Sequence, residues 1–155
     1  MAVTIDGVGE INGVVLPTTG FGKVLQVVRA TDSTDRTTTS TSFVDASISV
    51  TITPQKSTSA VLLIYSTRTT PASNNFIRIQ ITDSSNNAIS GAQSSVFGGS
   101  TIGSGAAVTT IIGYATPATT SAVTFKGRFH TELAGTATLP NSQHTGQLYA
   151  IEVSA

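Results

Sequence analysis

The chain of 155 residues contains no cysteine and no tryptophan, and only 10% of it is charged. Without cysteine there can be neither a disulfide framework nor a thiolate metal site, and the composition suits folding in a reducing compartment. Eight Lys+Arg balance eight Asp+Glu, so the net charge is zero. The cations are scattered between Lys23 and Arg128 and form no basic stripe, which argues against nucleic acid as a partner. Long apolar runs are also missing. Nothing approaches the roughly 20 residues of a membrane span, so no membrane partner is expected. The opening MAVTIDGVGE has no basic start and no continuous apolar stretch, hence no secretory signal, and a location outside the cell would require some other route.

What is abundant is hydroxyl: 27 Thr and 19 Ser. Thr is β-branched and fits a pleated surface, so a solvated sheet face can be polar here without charge. A chain of this length forms one ordinary domain that buries roughly 70% of the surface its unfolded form exposes.

The stretch from Phe43 to Ser66 organises the rest. Ile48, Val50 and Ile52 alternate with Ser47, Ser49, Thr51 and Thr53, the period of a half-buried strand. After the breaker at Pro54–Ser57, Ala60–Tyr65 is apolar on both faces, as expected of a central strand with a layer on each side. One layer can be a second sheet; the other is a loop or another copy of the chain. Lys23–Thr31 reads as a strand, and Asp32–Ser42 as a loop or polar edge strand. Asn75–Thr82 places Ile77, Ile79 and Ile81 inward and Arg78, Gln80 and Thr82 outward, and Asp83–Asn87 forms the hairpin turn that follows. Ala88–Ser90 starts the return strand, and Phe97–Gly105 reads as a mobile loop. Val108–Tyr114 and Ala122–His130 are strands, the latter with Val123, Phe125 and Phe129 inward. Thr131–Gly146 is irregular or an edge hairpin, and Gln147–Val153 closes the domain with Tyr149, Ile151 and Val153 inward. About eight strands with no helical period imply an all-β, jelly-roll-like antiparallel sandwich over residues 23–155. Val61, Leu63, Tyr65, Tyr149 and Ile151 are candidates for the inter-sheet core or a trimer contact.

Residues 1–22 differ in composition. Glycines interrupt Val3, Ile5, Val8, Ile11, Val14, Val15 and Leu16, too broken for a strand of the sandwich and too apolar for a solvated tail. They read as an extended arm, with one short strand at Val3–Ile5, that gains order against a partner.

Chemistry is sparse. His130 and Glu132 would share a strand face, and the simpler reading is a surface pair rather than half a metal site. His144 lies in a polar turn. Asp32 and Asp35 lack the ligand pattern of a calcium loop, and no serine occupies a G-x-S-x-G elbow. Neither catalysis nor a cofactor is expected. For carbohydrate, Phe43, Tyr65, Phe76, Phe125, Phe129 and Tyr149 mostly fall where strands need core, and only Phe97 and Tyr114 are free to stack on a sugar.

Three stretches, IDGVGEINGVVLPTTG (Ile5–Gly20), KVLQVV (Lys23–Val28) followed by TTTSTSFVDASISVTITP (Thr37–Pro54), and YATPATTSAVTFK (Tyr114–Lys126) with the terminal LYAIEV, resemble small β-sandwich structural proteins of tailed bacteriophages, especially those of marine and cyanobacterial hosts. The resemblance implies a trimeric jelly-roll domain on a short particle-binding arm, located in the virion and assembled in the host cytoplasm. Only about 22 residues precede the domain, which favours a capsid decoration protein over a long fibre. The alternative is a tail-fibre or tail-tip protein that recognises host surface glycans.

Overall fold

Alternating apolar and hydroxyl residues pair into antiparallel ladders, and the apolar sides of two such sheets must meet. The computed structural model describes residues 22–100 and 105–154, with the backbone of 4–5 and 11–12. The strands are β1 (Thr4–Ile5), β2 (Ile11–Asn12), β3 (Val24–Asp32), β4 (Arg36–Thr38), β5 (Val44–Ile52), β6 (Ala60–Thr69), β7 (Asn75–Asp83), β8 (Ala88–Gly98), β9 (Ala107–Ala115), β10 (Val123–Thr131), β11 (Ala137–Leu139) and β12 (Gly146–Val153). Among the described residues there is no helix.

One sheet has the order β3-β12-β6-β9 and the other β5-β10-β7-β8, and every pairing within them is antiparallel. Following the chain, β3, β5, β6 and β7 fall alternately in the two sheets, β7 and β8 form a hairpin, and β9, β10 and β12 alternate again. That winding is the strand order of a jelly roll. β4 and β11 pair as a small ribbon at the side.

The core is the meeting of the two inner faces. Ile48, Val50 and Ile52 of β5 and Ile77, Ile79 and Ile81 of β7 oppose Val61, Leu63 and Tyr65 of β6 and Leu148 of β12, all but fully buried. Each such aliphatic side chain contributes about 1.5–3 kcal/mol relative to an exposed position. Tyr65 fits because β10 has Gly127 opposite it: a Cβ there would lie 2.9 Å from the ring's Cζ and 2.8 Å from Ile48 Cγ2. β5 bulges at the same level, with Ser47 at φ 56° and its amide donating to Asp45 Oδ1 at 2.7 Å.

The structure corrects several expectations. β12 has the opposite parity to the one its apolar residues indicate: Leu148, Ala150 and Glu152 point inward and are fully buried, whereas Tyr149, Ile151 and Val153 lie half-buried on the outer face. The reason is Glu152. Its carboxylate accepts from Gln26 Nε2 at 2.6 Å and from the Gln55 amide at 2.8 Å, with the Lys56 amide at 3.4 Å, so it fastens the β5–β6 connection to the end of the sandwich. The outer face of β6 has no second layer among the described residues; Leu62 and Ile64 are half-buried there. Gln80 and Thr82 do point outward but are covered, Gln80 by its hydrogen bond to Gln93 and Thr82 opposite Lys126, which reaches to Ser84 and Asn86. Phe97 and Gly98, read as loop, belong to β8.

In the arm, Thr4 pairs with Asn12 and Ile5 with Ile11, so this part folds back on itself where an extended chain was expected. Val3, Val8, Val14, Val15 and Leu16 lie outside the described residues, as do 101–104 of the expected mobile loop.

Candidate interaction surface

The register of the β3-β12-β6-β9 sheet sets side chains of its outer face in rows. One row runs Val27, Ile151, Leu62, Tyr114, and the next Arg29, Tyr149, Ile64, Ile112. Val24 pairs with Val153 beyond the first row, and Val108 lies at the far end of β9. Val27, Ile112 and Tyr114 are 56%, 60% and 61% exposed. With strands about 4.8 Å apart and same-face residues about 6.8 Å apart, the apolar area spans roughly 20 Å by 20 Å. That is near the largest apolar patch an ordinary monomer exposes and about half of what one partner contributes to a standard interface. Its one charged side chain in these two rows is Arg29, which lies over the ring of Tyr149, 5.6 Å from the centroid, as a cation–π pair.

The other outer face is polar. Thr51 and Thr124 share a hydroxyl hydrogen bond at 2.8 Å, Gln80 bonds Gln93 at 3.3 Å, and Arg78 pairs with Glu132 at 3.0 Å. At one end of this face Phe76 and Phe97 meet, with ring centroids 4.9 Å apart.

The acidic groups hold turns. Asp32 accepts both Arg36 Nε at 2.9 Å and Nη2 at 3.0 Å, the Thr34 amide, and Asn141 Nδ2 at 3.0 Å; Asn141 in turn accepts from Thr67. Burial pushes the Asp32 carboxyl up, but Arg36 and the other donors outweigh it and hold it below the usual aspartate value. Glu152 behaves alike: desolvation raises it, and the donors led by Gln26 bring it below the ordinary glutamate value. Asp35 accepts the Ser142 amide, which lowers its carboxyl, and Asp83, lowered chiefly by Asn87, accepts the Ser85 and Asn87 amides across its hairpin. Asp32 and Asp35 thus both brace the Asn141–Ser142 turn. Among the described residues no three His, Asp or Glu converge as metal ligands. An open cleft of about 380 Å³ at one end of the sandwich is lined by Ile89, Pro117, Val123 and Phe125, with Asp83 committed to its turn.

The sequence-derived candidates divide. Val61, Leu63 and Tyr65 are inter-sheet core, while Tyr149 and Ile151 sit in the apolar outer rows. His130 and Glu132 do not pair: His130 is buried edge-on against Phe43 with Nδ1 2.9 Å from the Thr131 carbonyl, and Glu132 holds Arg78. His144 is half-buried in its turn, its amide bonded to the Pro140 carbonyl. Phe97 and Tyr114 are exposed, but on opposite faces of the sandwich. Sequence reasoning did not place Val27, Leu62, Ile64 and Ile112 together, and it assigned Phe76 to the core although Phe76, Arg78 and Gln80 share one parity. No family model matches this chain, and no curated protein matches it.

Proposed function

We propose that this protein is a structural subunit of a bacteriophage particle, a homotrimer that decorates the capsid, is attached through residues 1–22, and contributes binding energy rather than chemistry. The observation that carries this reading is the apolar outer face of the β3-β12-β6-β9 sheet. An apolar area of that size is ordered most favourably against another protein surface, and three copies turning it toward a common axis enclose it without an external partner. The engagement of Asp32, Asp35, Asp83 and Glu152 in turns and strand ends supports a scaffold role. The phage assignment rests on the resemblance of Ile5–Gly20, of Lys23–Val28 with Thr37–Pro54, and of Tyr114–Lys126 with the terminal LYAIEV.

The domain begins at Lys23, whose carbonyl accepts the Ser154 amide at 2.9 Å and whose amide donates to Ser154 Oγ at 3.0 Å. A chain starting at Lys23 therefore retains these bonds. Three such arms acting together gain attachment through effective concentration, by about a hundredfold or more where all three engage.

Light scattering coupled to size exclusion tests the assembly: three times 15.8 kDa is expected, and a monomer at micromolar concentration sinks the trimer. Densitometry of purified particles then separates a capsid location, with copy number following lattice positions, from a tail location, with copy number following tail symmetry. The second reading, a glycan-recognising tail tip, is favoured by one observation, the exposed Phe76–Phe97 pair beside Arg78 and Glu132.

A further inference from the structure

On β7, Phe76 and Arg78 point to the same outer face, and β8 sets Phe97 and Ser95 opposite them. The two rings are tilted by 51° and are 37% and 46% exposed, on a face that elsewhere carries Thr, Ser and Gln with Asp45, Lys126 and Arg128. Arg78 spends both Nε, at 3.1 Å, and Nη2, at 3.0 Å, on a single oxygen of Glu132, Oε2. The other carboxylate oxygen, Oε1, and Arg78 Nη1 have no hydrogen bond among the described residues, and both side chains are about a third exposed. The support beneath is rigid. Asn75, fully buried, donates to Thr131 Oγ1 at 2.9 Å and to the Leu133 carbonyl at 3.0 Å, and accepts from the Phe76 amide at 2.7 Å and the Leu133 amide at 2.9 Å. The Glu132 amide donates to the Phe76 carbonyl at 3.0 Å. One asparagine thus locks the strand that carries Phe76 and Arg78 to the segment that carries the carboxylate, so little order is lost there when a ligand arrives.

We propose that this patch binds a neutral pyranose sugar, the terminal residue of a glycan. A pyranose has one face of C–H groups and a rim of hydroxyls that each donate and accept. It needs an exposed aromatic surface with an open donor and an open acceptor at its margin, and Phe97 with Arg78 Nη1 and Glu132 Oε1 offers that set. The ion pair sums to zero charge, and the open oxygen is a carboxylate's, which repels an acidic sugar. Nucleic acid would stack on the rings but requires uncompensated cations for its phosphates, and the arginine here is already paired. The site does not depend on whether the protein sits on head or tail, nor on the trimer.

The test is saturation-transfer NMR on the full chain with methyl glucopyranoside, methyl galactopyranoside and the methyl glycoside of N-acetylneuraminic acid, each on the order of 10 mM, against a dissociation constant of about 1 mM for so shallow a site. Transfer to the ring C–H protons of at least one neutral glycoside is expected. Phe97→Leu keeps an apolar side chain but removes the ring and should weaken binding at least tenfold. Glu132→Gln keeps the shape and removes the charge, and should weaken it severalfold. Tyr114→Leu, on the opposite face, should leave it unchanged. Absence of transfer from both neutral glycosides, binding of the acidic one alone, or equal binding by wild type, Phe97→Leu and Glu132→Gln overturns the proposal.

Discussion

The two outer faces of this sandwich differ more than its two sheets do. The β5-β10-β7-β8 face is polar and largely bonded within itself: Thr51 bonds Thr124, Gln80 bonds Gln93, and Arg78 is paired with Glu132, while Thr82 Oγ1 and Arg128 Nε are buried without a partner among the described residues. The β3-β12-β6-β9 face carries valine, leucine, isoleucine and tyrosine where the other carries threonine, serine and glutamine. Both back onto the same core, so the interior does not require the difference. A sheet that needs one wet side can be finished with hydroxyls; the isoleucine finish of this one is what the proposed trimer contact would use.

Adjacent residues on β9 give the sharpest way to break that comparison. Ile111 is buried between the sheets and Ile112 is exposed on the apolar face. Ile111→Asp places an unpaired carboxylate in the core and should cost about 4 kcal/mol or more, read as loss of a cooperative thermal transition. Ile112→Asp should leave the fold intact by circular dichroism yet shift light scattering from trimer to monomer, a weakening of association by at least a hundredfold. An assembly untouched by Ile112→Asp would move the contact away from this face. Glu152→Ala strips the Gln55 amide of its acceptor at a part-buried strand end and should cost about 1–2 kcal/mol in denaturant unfolding. On the polar face, Thr124→Ala removes one exposed hydrogen bond and should cost about 0.5 kcal/mol or less, with no change in oligomeric state.

Acid offers a further handle. Asp32, Asp83 and Glu152 are each held below their ordinary values in the folded chain. Their contribution is therefore complete above the unfolded values and is lost as the pH falls through the folded ones. The melting temperature should be level from neutrality to about pH 4.5, the ordinary glutamate value, and decline below it. Glu152→Gln should flatten that decline, and an unchanged slope would remove Glu152 from the account.

The legibility of the sequence follows the same division. In β5 and β7, isoleucine and valine alternate with serine, threonine, arginine or glutamine, and parity was readable because the outer face is polar. In QLYAIEV both parities carry apolar residues, and the larger ones point outward. Only the carboxylate of Glu152, turned in to hold two backbone amides, marks the true inner side, and no local pattern announces such a bond. Phe76 carried a readable signal, its shared parity with Arg78 and Gln80. The contact of Arg78 with Glu132 did not, because 54 residues separate the partners.

β12 lies inside its sheet, between β3 and β6. Residues 146–153 are synthesised after the strands they join, so β3 and β6 cannot be bridged within this sheet until β12 arrives. During synthesis the apolar run Ala60–Tyr65 has one flank unpaired, open to any neighbouring nascent chain. Closure of that sheet is necessarily a late event, and crowding of unfinished chains on one messenger is the moment at which this protein is most exposed to mispairing.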